Sequence, residues 1–263
     1  MKDSAIEIKF NAKDKLKTDN YVVIGAEDFI FSSHLDEARQ KLWQDWEDLG
    51  FDKYLKNGSH FRFRRFNYFY FHPKTCEVIA FPNTPYYQSE ELNSYVGGIY
   101  RHFAPMREET KTNIFLHEII RAHFNQFTLT DEMANNPWQL DVHQVRIIST
   151  DDEIGEPTPE GVHHDENNFV SMHLIKRENV VGGVSSVYGK NKKPLTSMTM
   201  SEPMDSLIVW DTNVMHAVSP ITQAQAGKNA IRDVLIIGYT CEPKLKLPSE
   251  ESMESFVRRL KGQ

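Results

Sequence analysis

The amino-acid sequence predicts a mostly β chain with flanking helices (α+β) around a double-stranded β-helix, or jelly-roll, core. Three observations carry this. Short β-branched segments separated by turn residues crowd the stretch after Leu140, no long helical period falls between them, and the two clearest amphipathic helical patterns both precede them. The 263 residues suffice for one large domain closed around a small-molecule pocket. We read residues 1–135 as a helix-rich part packing on the barrel, 136–242 as the core and 243–263 as a tail.

The elements follow in order. From His34 to Leu49, the residues Leu35, Ala38, Leu42, Trp43, Trp46 and Leu49 recur at helical spacing with charged residues between them, an amphipathic helix whose tryptophans read as core anchors. Phe61 to Phe71 alternates aromatic with polar residues and reads as a strand with Arg62 and Arg64 on one face. Aromatics interleaved with arginine also suit base stacking, but the acidic balance favours a half-buried strand. Thr112 to Phe127 is a second helix, with Phe115, Ile119, Ile120 and Phe124 on one side and Thr112 or Asn113 as N-cap. Strands are expected at Val142–Ser149, Phe169–Lys176, Val184–Tyr188, Leu195–Met200, Ser206–Trp210, Val214–Val218 and Val234–Thr240. Gly182-Gly183 and Gly189 to Pro194 are turn signals, and Lys190, Lys192 and Lys193 read as a solvated loop tip. The tail after Pro243 reads as a polar loop and a short helix.

Composition narrows the function classes. Hydrophobic residues at 40% and charged residues at 25% describe an ordinary globular protein, and a net charge of −7 argues against a nucleic-acid surface. Cys76 and Cys241 are too few for a disulfide framework or a zinc cluster. The N-terminus lacks an apolar leader core, and no run of about 18 apolar residues occurs. The expectation is a soluble cytoplasmic protein without membrane or nucleic-acid partners; a homodimer is left open.

The chemistry is concentrated in His163-His164-Asp165 and, about fifty residues on, His216. A His-x-Asp pair with a distant His is the ligand set of a facial-triad iron(II) site, which leaves coordination positions open for reaction. Alternation on a strand puts residues two apart on the same face, so His163 and Asp165 can grip one ion while His164 points away. The same spacing serves His164 and Glu166, and spacing alone leaves that register open. Arg232 lies sixteen residues after His216 at the start of an apolar run. A planar guanidinium there suits a carboxylate, either Asp233 or, in the company of such a triad, the remote carboxylate of 2-oxoglutarate. Two other classes use a similar barrel: a cupin-like metal enzyme without oxoglutarate, which has no need of Arg232, and a non-catalytic ligand-binding module with structural histidines.

Several stretches together carry a resemblance: Tyr87-Gln-Ser89, Gly97-Gly98, Arg101-His-Phe103, His143-Gln-Val-Arg146, Val162-His-His-Asp165, Met172-His-Leu174, Gly182-Gly183, Ser201-Glu-Pro203, His216 to Pro220 and Arg232-Asp233. The chain resembles the bacterial 2-oxoglutarate/iron(II) dioxygenases that hydroxylate free amino acids, the group containing L-isoleucine 4-hydroxylase. The resemblance implies His163, Asp165 and His216 as metal ligands, in preference to His164 and Glu166, and Arg232 as the oxoglutarate-binding residue. It implies iron(II), 2-oxoglutarate and dioxygen as the cofactor and cosubstrates, and a free L-amino acid as substrate. His143 and Val145 face one side of their strand and Gln144 and Arg146 the other, so only one pair can line the pocket. We assign Arg146 to the substrate carboxylate, with Gln144 adding polar contacts, and Glu166 or Asn168 to the ammonium. His173 reads as a hydrogen-bonded core residue.

Overall fold

The computed structural model describes residues 4–91, 93 and 95–241. The expected tail at 243–263 lies outside the described residues. Two antiparallel sheets face each other across a cavity, the jelly-roll core that the strand pattern predicts. Across the large sheet the strands run Tyr21–Ile24, Ser206–Val209, Phe169–Glu178, Ala230–Cys241, Trp138–Ser149, Arg62–His72 and Gly50–Phe51. Opposite lie Pro194–Met198, Ser185–Gly189 and Val214–Val218, with Val180–Gly182 and Ile221–Gln223 as a separate two-stranded ribbon.

Alternation divides the large sheet into two faces. On the Ala230–Cys241 strand, Arg232, Val234, Ile236 and Gly238 face the cavity. Leu235, Ile237 and Tyr239 point the other way, into the main hydrophobic core. That core is completed by the Ile114–Phe124 helix, whose Phe115, Leu116, Ile119, Ile120 and Phe124 are buried against the sheet. Asn113 caps this helix by accepting hydrogen bonds from the Phe115 and Leu116 N–H groups at 2.9 and 3.1 Å, relieving two donors that lack intrahelical partners.

The structure corrects three expectations. The pattern from His34 to Leu49 is an α-helix only at Asp36–Gln44, with single 3-10 turns at Ser33–Leu35 and Asp45–Asp48. Its last turn is tied to the sheet, where the Trp46 indole donates to the Val145 carbonyl at 3.1 Å, so tertiary contact overrides the continuous helical period. The front part is less helical than expected, because Tyr21–Ile24 adds a strand to the large sheet and Ile6–Ile8 pairs with Phe29–Phe31. Those runs are too short for periodicity to reveal. Finally, His163 and Asp165 lie outside any long strand; a single bridge between His163 and His216 holds that segment. Among the described residues, no helix is long and apolar enough to cross a membrane.

Candidate metal and substrate site

The backbone bridge sets the geometry. His163 N–H donates to the His216 carbonyl at 3.1 Å and His216 N–H returns a bond of 2.8 Å, which fastens the extended loop to the Val214–Val218 strand and brings the two imidazoles to 4.6 Å between ring centres. Asp165, two residues on, turns its carboxylate between them: Oδ1 lies 3.6 Å from His163 Nε2 and Oδ2 lies 3.3 Å from His216 Nε2. The three ligand-type atoms fall within 4.8 Å of one another. His164 stays outside this cluster.

Both imidazoles are aimed from behind. His163 Nδ1 is 2.9 Å from the Gly161 carbonyl, and His216 Nδ1 lies 3.5 Å from Asp211 Oδ1, an ion-pair contact rather than a hydrogen bond; each ring presents Nε2 to the centre. Asp211 is fully buried and its other oxygen accepts the N–H groups of Asp165 and Asn167 at 2.9 and 3.2 Å. One carboxylate thus orients one imidazole and fixes the loop carrying the third donor. Burial, and then the Asp165 charge, pushes the Asp211 carboxyl well above the usual carboxylate range. Burial also acts to raise Asp165, but the hydrogen bond to His216 and the charges of the two imidazoles outweigh it and hold Asp165 low. For His163, burial opposes the cation, yet Asp165 and Glu160 prevail and raise it. Two imidazoles and an ionised carboxylate on one side of a point suit iron(II), and the set fits that ion.

The open cavity in front of these residues reaches Arg232. This side chain is 2% exposed, and its Nε and Nη2 have no hydrogen-bond partner. Asp233 does not neutralise it. Alternation sends Asp233 to the opposite face, where it takes Arg146 Nε and Nη2, each at 2.8 Å. Burial, reinforced by neighbouring Arg177, brings the Arg232 guanidinium down to about 10. An unpaired buried cation opening on a cavity is a ready acceptor for a ligand carboxylate. Gly183 is required beside it: the backbone there has φ of +66°, and a Cβ would press on the Arg177 guanidinium and the Arg232 stem.

The four expected substrate contacts are not brought into this cavity. Of the two faces of Trp138–Ser149, the one carrying Asp141, His143, Val145 and Ile147 lines it. Arg146 is on the other, bonded to Asp233 and, at 3.1 Å, to Glu47; Gln144 is on that face too and fully buried. The preference for the Gln144/Arg146 pair is therefore corrected, since a guanidinium spent on two carboxylates behind the sheet cannot meet a ligand in front of it. Glu166 is exposed in a left-handed turn with φ of 64°. Asn168 closes the end of the neighbouring strand, its N–H donating to the Tyr239 carbonyl at 2.9 Å and its Oδ1 accepting from Cys241 N–H at 2.7 Å. It is Asn167 that faces the cavity, anchored by Thr240 at 2.7 Å. His173 is a core residue, with Nδ1 2.5 Å from Ser206 Oγ.

Sequence reasoning gave no role to several lining groups. Gln88 donates to Asp165 Oδ1 at 3.3 Å and accepts from Arg101 at 2.6 Å. Arg62 and Arg64 also line the cavity. The motifs around Gln88 and Arg101, and the shared face of Arg62 and Arg64, were visible signals, but nothing local says that they reach residues 163–165.

Comparison with known proteins adds to this geometry. A model of the 2OG-Fe dioxygenase family matches residues 43–238. L-isoleucine-4-hydroxylase of Bacillus thuringiensis is 26% identical over 158 residues, 59% of this chain and 65% of that protein. The 3(1)-hydroxy-L-isoleucine 4-dioxygenase of Pantoea ananatis (strain AJ13355) is 22% identical over 160 residues, 59% of this chain and 63% of that protein. The matches thus span just under two thirds of these curated relatives. The crystal structure of IDO from Bacillus thuringiensis superimposes with a TM-score of 0.74 at 19% identity, covering 88% of this chain and 98% of that one, a likeness of fold.

Proposed function

The chain belongs to the 2OG-Fe dioxygenase family, whose members use iron(II), 2-oxoglutarate and dioxygen, and from that premise we propose that it hydroxylates an unactivated C–H of a free L-amino acid, with 2-oxoglutarate converted to succinate and carbon dioxide. The observation carrying this reading is that the unpaired Arg232 guanidinium and the His163/Asp165/His216 cluster open on one cavity. In this reading His163, Asp165 and His216 hold the ferrous ion, and Arg232 takes the remote carboxylate of oxoglutarate through its planar fork. The chemistry supplied at the ion is activation of dioxygen coupled to oxidative decarboxylation of oxoglutarate.

The remaining contributions belong to the chain. Asp211 keeps His216 turned with Nε2 forward, and Gln88 steadies the Asp165 carboxylate. Val170, Met172, Val234 and Ile236 give the cavity an apolar wall, which limits water around the reacting groups and strengthens every charge contact there. Positioning is the main demand, because an oxidant able to attack an unactivated carbon must meet one C–H bond. The two relatives named above act on isoleucine and a hydroxyisoleucine by name, which favours an aliphatic L-amino acid here.

The test is a screen of the twenty amino acids with citrulline, ornithine and pipecolate, reading succinate formation and a mass gain of one oxygen. We expect at least one to raise iron- and oxoglutarate-dependent succinate formation above the uncoupled rate. If only a peptide, a carrier-bound aminoacyl group or a non-amino-acid metabolite does so, the substrate class is refuted while the iron chemistry stands.

A further inference from the structure

A second group of buried guanidinium groups lies on the same cavity as Arg232. In the large sheet Arg62, Ile147 and Arg232 are register partners across three strands, and Arg64, Val145 and Val234 form the next inward-facing row. Arg62 is neutralised: its Nε donates to the fully buried Asp52 at 2.8 Å. Arg64 shares that carboxylate less closely: its Nε lies 3.1 Å from the same Asp52 oxygen as an ion pair, out of line for a hydrogen bond. Arg101, 2% exposed, ends the Tyr100–Arg101 strand, which pairs with Tyr86–Tyr87, and its Nε is also unpartnered. Both stack on Phe103, with guanidinium carbons 4.5 and 5.6 Å from the ring centre. Arg62, Arg64 and Arg101 thus gather near the one buried carboxylate of Asp52, and the Nε atoms of Arg64 and Arg101 lack a hydrogen-bond partner. Burial is the first cause that lowers both, bringing Arg64 to about 9.

Resting on the proposed function, we propose that Arg64 and Arg101 together form the subsite for the carboxylate of the amino acid substrate, leaving Arg232 to oxoglutarate. Two planar forks lying on one aromatic platform suit a single planar anion. The distance to the reaction centre agrees. Gln88 bridges Arg101 to Asp165 with contacts of 2.6 and 3.3 Å, so the guanidinium lies at most about 8 Å from that oxygen by bond-length geometry. The other lining charges agree as well. Asp141, Glu160 and Asp165 with Asp52 match the four arginines, and a ferrous ion matches an oxoglutarate dianion, so a zwitterion of zero net charge leaves the cavity balanced.

The experiment takes whichever amino acid most stimulates succinate formation, together with its carboxamide, and measures KM in turnover and Kd by calorimetry with manganese(II) and oxoglutarate under argon. The wild-type protein should bind the acid at least tenfold more tightly than the amide. In Arg101→Gln and Arg64→Gln that preference should collapse, because the acid weakens at least tenfold while the amide changes little, a coupling that a merely structural role would not produce. Arg101→Lys should retain part of the preference. Wild-type protein that does not distinguish acid from amide, or variants that keep the distinction, would overturn the subsite while leaving the amino acid reading intact. If no free amino acid stimulates turnover, the proposed function fails and the subsite fails with it. Should a glutamine variant not fold, as judged by its melting curve, the wild-type comparison and Arg101→Lys still decide the matter.

Discussion

Replacing Arg232 by Met should move stability and cosubstrate binding in opposite directions. In the ligand-free protein this guanidinium is 2% exposed with two unpartnered N–H groups and Arg177 as its charged neighbour, so it costs stability. Removing a buried unsatisfied donor set recovers about 1–3 kcal/mol, which at about 2–4 °C per kcal/mol for a chain of this size raises the melting temperature by about 2–12 °C. Oxoglutarate binding should lose two charge-assisted hydrogen bonds of about 1.5–3 kcal/mol each, roughly a hundredfold or more in affinity. Wild-type protein at a hundred times its Kd should gain about 2.7 kcal/mol from oxoglutarate, and the variant almost nothing. The sign of the pH dependence is fixed. A cation whose folded value, about 10, lies below its unfolded one carries its full cost below pH 10 and sheds it above, so the variant's advantage should be flat from pH 6 to 9 and narrow beyond. The assay is thermal melting with manganese(II), with and without oxoglutarate. A ligand-free variant that melts below wild type, or one still stabilised by oxoglutarate, would refute the reasoning.

Other outcomes follow from the same geometry. Asp165→Ala removes a ligand and its charge and should abolish iron-dependent turnover and metal-induced stabilisation, whereas His164→Ala should keep substantial activity; the reverse pattern in His164→Ala and His163→Ala would put the register on His164 and Glu166. Arg146→Met strands the fully buried Asp233 and should destabilise by about 3 kcal/mol in urea titration, with the amino acid KM nearly unchanged, while adding Asp233→Asn should recover most of the loss. His123 and His173 are both held neutral by burial, His173 down to about 3, so folded values lie below unfolded ones and stability should fall as pH drops below about 6.5, by about 1.4 kcal/mol per pH unit for each. His123→Leu should remove about 1.4 kcal/mol per pH unit of the acid slope in urea titrations from pH 6.5 to 4.5, and an unchanged slope would place the acid sensitivity elsewhere.

Much of this was legible in the residues themselves. Period-two patterning predicts the strand later found at Val214–Val218 with the same bounds and the cores of the Phe169–Glu178 and Ala230–Cys241 strands, because that pattern is imposed by a sheet with two unlike faces. His163, Asp165, His216 and Arg232 stood out by residue type and spacing, and the structure gathers them around one cavity. Which face of Trp138–Ser149 meets that cavity was not legible. Alternation separates His143 from Arg146, but inward and outward are decided by where the Ile114–Phe124 helix packs and by the pairing of Arg146 with Asp233. Asn168 was assigned from its residue type, whereas Asn167, just after a left-handed residue at Glu166, is the one that faces the cavity. The residues proposed for substrate recognition, Arg64 and Arg101, lie far from His163 in sequence and share its cavity because the Arg62–His72 strand borders Trp138–Ser149 and Gln88 links Arg101 to Asp165. Local sequence determines the period of an element and the chemistry it carries. The long-range pairing of strands decides which of those groups share a cavity, since register and facing depend on every neighbour at once.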